Sequence, residues 1–239
     1  MVISSSNAQA TEVVYPSSDG EPLAETSVHV DAIITAVVAL RQYLAGQPAI
    51  VLADQFLYYA AGFPKLRVAP DVMVIKQVAP GPRDNYKIWE EGAIPSVIFE
   101  MTSQGTQKYD QETKRTLYEQ LEVPEYWLFD PKGEWIVEKL RGYRLEGDRY
   151  ISITDGISTA LGLRLVIEDT LIGFYRQDTG EKLMAPDELV EALRAEKLVS
   201  ARAEERAQQA EERAQQAEDR ADALAARLRA LGVDPEDVS

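Results

Sequence analysis

The chain has 239 residues, of which 45% are hydrophobic, and its formal net charge is −15. This hydrophobic content supports a packed core, and the absence of cysteine excludes disulfides, thiolate nucleophiles and cysteine-bound zinc. Because the only histidine is His29, any metal must be held mainly by oxygen, which favours Mg²⁺ or Mn²⁺. The chain has neither an apolar run of membrane-spanning length nor a signal-peptide pattern, so we expect a cytoplasmic protein with no membrane partner.

The first 178 residues mix helix and strand patterns. Residues 1–20 are polar, and we expect them to form a flexible N-terminal segment. Helices are predicted over residues 26–45 and 107–122, where apolar residues recur every three or four positions, and residues 79–93 are predicted to form a loop. Apolar, β-prone runs predict strands within residues 49–52, 55–59, 66–75, 96–101, 125–129, 135–153, 163–167 and 171–175. This order predicts an α/β domain over residues 21–178, with a mixed sheet and flanking helices.

The character of the chain changes from about residue 186. Residues 203–209 read AEERAQQ and repeat as residues 210–216, and small or apolar residues recur at alternating intervals of four and three. This heptad seam predicts a long helix or coiled coil over residues 186–232. Two interpretations stay open: a helix that oligomerises through the seam, or a single solvated helix stabilised by Glu and Arg pairs.

Three polar side chains interrupt apolar patterns. Asp71 precedes four apolar residues, Glu100 lies inside an apolar strand, and Lys114 falls on the apolar stripe of the helix over residues 107–122. Two carboxylates and a lysine are the minimum for metal-assisted hydrolysis of a phosphodiester. Each also has a structural interpretation: Asp71 can end a turn, Glu100 can pair with a nearby cation, and Lys114 can extend to solvent.

These residues belong to a longer set of motifs. The set comprises Pro70 with Asp71, VIFEMTS over residues 97–103, Asp110, Lys114, Tyr118, and VPEYWLFDP over residues 123–131. As a set, these motifs resemble the Uma-two family of restriction-endonuclease-like proteins, which belongs to the PD-(D/E)XK nuclease-like superfamily. The resemblance covers roughly residues 20–178.

The resemblance implies a restriction-endonuclease-like core and a metal site built on Asp71 and Glu100, with Glu25 as a third metal carboxylate. The superfamily lysine lies two residues after the glutamate, where this chain has Thr102. The helical Lys114 resembles its replacement in this family. His29 has two interpretations, a catalytic imidazole or a partly buried residue at the start of a helix.

The resemblance and the residues together predict a DNA endonuclease that depends on Mg²⁺ or Mn²⁺, with Asp71, Glu100 and Lys114 as catalytic residues. The alternative is a catalytically inactive protein with the nuclease fold that oligomerises through its C-terminal coiled coil. A third interpretation is a nuclease subunit whose DNA specificity comes from a partner protein bound by the coiled coil.

Overall fold

The computed structural model describes residues 13–20 and 25–232. The chain divides into two compact units, Met1–Pro186 and Asp187–Ser239. The first unit carries the strands and the short helices, and the second carries the long C-terminal helix. In the described ranges, no helix is both long enough and apolar enough to cross a membrane.

The strands of the first unit are short, and most lie where the sequence predicts them. In chain order they are β1 (Ala49–Leu52), β2 (Leu57–Tyr58), β3 (Arg67–Val68), β4 (Val72–Lys76), β5 (Tyr86–Lys87), β6 (Val97–Met101), β7 (Glu125–Phe129), β8 (Leu140–Glu146), β9 (Arg149–Ile153), β10 (Ile157–Ser158), β11 (Leu163–Glu168) and β12 (Leu171–Arg176). The helices are α1 (Ser27–Tyr43), α2 (Ile88–Glu91), α3 (Arg115–Gln120) and α4 (Pro186–Ala230). A π-helical segment, Tyr109–Lys114, leads directly into α3.

The central sheet has six strands in the order β1-β4-β6-β7-β8-β9. The pair of β6 and β7 is parallel and the other neighbouring pairs are antiparallel, so the sheet is mixed as the sequence predicts. Two three-stranded sheets, in the orders β3-β2-β5 and β10-β11-β12, complete the unit. Every residue of β6 and β7 is buried, which fits strands that are covered on both faces.

A separate hydrophobic core lies on each face of the central sheet. Because side chains alternate along a strand, Val97, Phe99 and Met101 of β6 join the core that contains α1 and β12. Ile98 joins the other core, which contains Tyr118 of α3. Glu100 points to that second face, and its carboxylate therefore faces the helix over residues 107–120 instead of α1.

Two segments differ from the sequence prediction. Residues 79–93 were expected to be a loop but contain β5 and α2. Both are too short to produce a readable periodicity, and β5 is held by parallel pairing with β2, which is distant in sequence. The two-residue strand β10 was missed for the same reason.

Part of the predicted flexible N-terminal segment is anchored on the domain. The Tyr58 hydroxyl donates a hydrogen bond to the Pro16 carbonyl oxygen (2.5 Å), and the Gly62 N–H donates one to the Tyr15 hydroxyl (2.6 Å). The Tyr15 ring also contacts the rings of Tyr58 and Trp89. The rest of that segment, residues 1–12, lies outside the described residues, as do residues 21–24 and 233–239.

The second unit consists of α4, a helix of 45 residues without a buried side chain along its described length. Leu224 and Leu231 of the heptad seam are 63% and 79% exposed. Pairs four residues apart support the helix, with Gln215 Nε2 donating to Asp219 Oδ1 at 3.0 Å. The long helix is as predicted, and the pairing of its seam stays a prediction.

Candidate functional site

The two carboxylates singled out in the sequence meet at neighbouring strands of the central sheet. β4 and β6 are antiparallel with Val72 opposite Phe99, so one further step of the register brings Asp71 opposite Glu100. The Asp71 N–H donates to Glu100 Oε2 (3.4 Å), and the Met101 N–H donates to Asp71 Oδ2 (2.5 Å). Each acid is thus tied to the backbone at or next to the other.

Lys114 reaches Glu100 from the π-helical segment. Its Nζ lies 2.7 Å from Glu100 Oε2 and 3.2 Å from Asp110 Oδ1. The Tyr118 hydroxyl, one turn further along, donates to Glu100 Oε1 (2.8 Å). The side chains of Glu100, Asp110, Lys114 and Tyr118 are buried. We call these four residues, together with the largely buried Asp71, the acid cluster. The structure therefore brings Asp71, Glu100 and Lys114 together, which is the arrangement that a common site for the three residues requires.

His29 and Glu25 approach the acid cluster from the start of α1. His29 Nε2 lies 3.7 Å from Asp71 Oδ2, and His29 Nδ1 lies 3.7 Å from Glu25 Oε2. His29 thus lies between the carboxylates of Glu25 and Asp71, and its imidazole separates the two. Both separations exceed hydrogen-bond length, and the buried Nδ1 has no hydrogen-bond partner.

Burial dominates the electrostatics of the acid cluster. Burial raises the pKa of Asp71 to about 7, against a smaller lowering by Lys114, and repulsion from Asp54 and Asp110 adds to the rise. Burial also raises the pKa of Glu100. For Lys114, burial alone would lower the pKa, but the surrounding carboxylates of Glu100, Asp110 and Asp71 raise it. The ammonium therefore stays charged and is the fixed positive charge of the site.

Asp54 is a nearby carboxylate that the sequence interpretation missed. Asp54 comes just after β1, and Asp71 comes just before β4, the antiparallel neighbour of β1. The Asp54 N–H donates a hydrogen bond to the Pro70 carbonyl oxygen (3.1 Å). Its φ of 50° is uncommon for a residue other than glycine, and such backbones are frequent at functional sites. Burial, aided by Glu25, raises its pKa. The available signal was an acid that lies two residues after the predicted strand over residues 49–52.

Two other buried carboxylates are fully occupied by structural hydrogen bonds. Glu125 accepts from the Ser158 and Thr159 hydroxyls and from the main-chain N–H groups of Thr159 and Ala160. Asp130 accepts from three main-chain N–H groups of the loop that follows β7. These hydrogen bonds hold the segments that follow β10 and β7 in place, which is a structural role.

The chain matches the model of one known protein family. Residues 7–174 match the model of Uma2, described as "Putative restriction endonuclease". The chain belongs to the Uma2 family. This confirms the resemblance found in the motifs, and the family supports a nuclease. No curated protein matches the chain.

Several chains of solved structures are similar to this Uma2 chain, and one of them is named after a nuclease. It is the crystal structure of a "putative nuclease belonging to DUF820" from Anabaena variabilis ATCC 29413. The identity is 14% and the TM-score 0.41, and the match covers 57% of this chain and 72% of that chain.

In this Uma2 protein the position two residues after Glu100 holds no cation. Thr102 is buried, its N–H donates to the Phe129 carbonyl oxygen (2.7 Å), and its Oγ1 has no hydrogen-bond partner. The ammonium near Glu100 comes instead from Lys114 on the helix, as the resemblance implies.

The donor chemistry of the cluster fits a hard cation. Within residues 13–20 and 25–232, no three His, Asp or Glu side chains are grouped closely enough to hold a metal ion. The carboxylates of Asp71 and Glu100 nevertheless supply oxygen, which Mg²⁺ and Mn²⁺ prefer, and no sulfur ligand competes. Burial makes these crowded carboxylates hard to ionise. A bound cation would favour their ionised form.

Proposed function

We propose that this protein is a DNA endonuclease that depends on a divalent metal and hydrolyses phosphodiester bonds at the acid cluster. The observation that carries the proposal is the contact of Lys114 with Glu100. It supplies, from a helix, the positive charge that Thr102 cannot supply from the strand. Family membership supports a nuclease, and the donor set supports Mg²⁺ or Mn²⁺.

In this proposal, Asp71 and Glu100 hold the cation, and Glu25, whose Oε2 lies 3.7 Å from His29 Nδ1, is the third metal carboxylate. When bound, such a cation polarises the scissile phosphate and lowers the pKa of a bound water. Lys114 offsets the negative charge that develops on the phosphate, and its pairing with Asp110 keeps the ammonium oriented. Tyr118 fixes the Glu100 carboxylate by its hydrogen bond to Oε1.

The test is cleavage of supercoiled plasmid and of single-stranded DNA by the purified full chain, with Mg²⁺, Mn²⁺ or EDTA. We expect cleavage with metal and none with EDTA, and its loss in Asp71→Asn, Glu100→Gln and Lys114→Met. Glu90→Gln and Lys65→Met change an exposed glutamate and an exposed lysine outside the acid cluster and serve as matched controls. Cleavage that survives in Asp71→Asn and Glu100→Gln would refute the proposal.

A second candidate is a non-catalytic protein that keeps the nuclease fold and acts by interaction. The net charge of −15 disfavours tight binding to DNA phosphates, and α4 presents an unburied heptad seam. We propose that this seam pairs with a second copy of the chain, with a different coiled-coil protein as the competing outcome. Absence of divalent-metal binding by calorimetry, together with a stable oligomer, would favour this candidate. The cytoplasmic location stays a prediction.

A further inference from the structure

A pocket adjoins the acid cluster on the side of α1. Its volume is about 600 Å³, within the range of roughly 300–1,000 Å³ that is usual for small-molecule sites. Its walls are the start of α1, the segment that follows β6 and the loop that follows β7. His29 and Thr102 line its inner end, while Lys132 and Trp135 line the loop side. We call it the Trp135 pocket.

The inner end of the Trp135 pocket carries two polar atoms without partners. Thr102 Oγ1 and His29 Nδ1 are buried and make no hydrogen bond. The two residues are 3% and 5% exposed, respectively. Buried polar groups without partners are rare, and each one calls for a ligand or a water. A hydroxyl can donate and accept, and an imidazole nitrogen does one or the other according to its protonation, which are the functions that the edge of a nucleobase pairs with.

The loop side carries an aromatic ring on a backbone that is held by hydrogen bonds. The Asp130 carboxylate accepts hydrogen bonds from the N–H groups of Gly133, Trp135 and Ile136, which holds the backbone of the loop. The Trp135 side chain remains 36% exposed, and Lys132 beside it is exposed. A partly exposed indole beside a lysine suits the stacking of a base and contact with a phosphate.

We propose that the Trp135 pocket binds an unpaired nucleobase of a DNA strand that lies across the acid cluster. The base stacks on Trp135, with its edge toward the end of the pocket that Thr102 and His29 line. This inference rests on the proposed function and narrows its substrate to single-stranded DNA or DNA with unpaired bases. A base inside a duplex cannot enter such a pocket without leaving the stack. Recognition by a base pocket also suits an acidic protein, which gains little from phosphate contacts.

The test measures binding without cleavage, with Ca²⁺ in place of Mg²⁺. A fluorescein-labelled single-stranded oligonucleotide and the same sequence as a duplex are titrated with the full chain, and Kd is read from anisotropy. We expect the single strand to bind more tightly than the duplex, and Trp135→Ala to weaken its binding roughly tenfold, as loss of one stacked base does. Trp89→Ala is the matched control, since Trp89 is also 36% exposed but lies on α2 outside the pocket.

Each outcome decides a different point. Equal binding of single strand and duplex, or wild-type affinity in Trp135→Ala with an unchanged melting temperature, would overturn the inference. A 2-aminopurine base in the single strand gives a second readout, because its fluorescence should be quenched by wild-type protein and not by Trp135→Ala. Binding that depends on Trp135 in a protein that cleaves no DNA would refute the proposed function and leave the inference standing.

Discussion

Lys114 holds Glu100 from a helix that follows the glutamate strand, with Nζ 2.7 Å from Oε2 and both side chains buried. Removal of one partner from a buried ion pair leaves the other charge uncompensated. Lys114→Met should therefore lower the free energy of unfolding by roughly 3 kcal/mol and abolish cleavage. Urea denaturation and the nicking assay measure the two effects. Lys114→Arg, which keeps the charge, should retain most of the stability, and equal losses in both variants would contradict the electrostatic explanation.

The acid cluster should make the metal-free protein less stable as the pH rises. The pKa of Asp71 is raised from 3.8 to about 7, and that of Glu100 is raised as well. In the window between the unfolded and folded values the native state binds more protons, so this contribution is complete below about pH 4 and is lost as the pH passes about 7. Urea denaturation in EDTA from pH 5 to pH 8.5 should show the decline.

The matched comparison for this pH dependence is Asp71→Asn, which removes one of the titrating groups. Its stability should fall less steeply than that of the wild type over the same pH range. Parallel curves for the two proteins would show that the raised pKa of Asp71 does not govern the decline. Addition of Mg²⁺ at pH 8 should stabilise the wild type more than the variant, because a ligand that binds only the native state raises its stability.

Asp54 is expected to support metal binding from outside the Asp71–Glu100 pair. Its carboxylate interacts electrostatically with that of Asp71. Its N–H donates a hydrogen bond to the Pro70 carbonyl oxygen, so Asp54 lies beside Asp71 and not between β4 and β6. Asp54→Asn should weaken Mn²⁺ binding roughly tenfold, as the loss of an outer-shell partner does. Calorimetry measures this, with Asp84→Asn as an exposed control. Unchanged Mn²⁺ affinity in Asp54→Asn would confine the site to the two central carboxylates.

Tyr118 should contribute by fixing the orientation of Glu100. Its hydroxyl donates to Glu100 Oε1 inside the core, so Tyr118→Phe leaves a buried acceptor short of one hydrogen bond. The expected loss of stability is about 1–2 kcal/mol. Cleavage should fall in kcat with little change in KM, because the tyrosine lies behind the glutamate. A loss confined to KM would instead indicate contact with DNA.

The seam of α4 should drive self-association. Leu224, Leu228 and Leu231 supply its largest apolar side chains. The triple change to Glu should convert an oligomer to a monomer in sedimentation velocity, since charges at core positions destabilise a coiled coil. Glu changes at exposed positions off the seam, such as Gln208 and Gln215, are the control. A wild-type chain that sediments as a monomer at all concentrations would contradict the prediction.

The sequence predicted the parts of this site that depend on local pattern. Asp71 and Glu100 were visible because a charge inside an apolar strand is costly, and Lys114 because it falls on an apolar helical stripe. Asp54 and the position of His29 between Glu25 and Asp71 were not, since both depend on the register of β1 with β4 and on how α1 packs on the sheet. Long-range pairing of this kind leaves no periodic signal in one sequence.

Glu125 connects the central sheet with the sheet formed by β10, β11 and β12. This one carboxylate links β7 of the central sheet to the turn after β10 through Ser158, Thr159 and Ala160. Its replacement should release the turn after β10, while the acid cluster lies at the opposite end of the parallel strands β6 and β7, where Glu100 pairs with Leu128. A variant of Glu125 should therefore loosen this attachment and leave the contacts within the acid cluster intact.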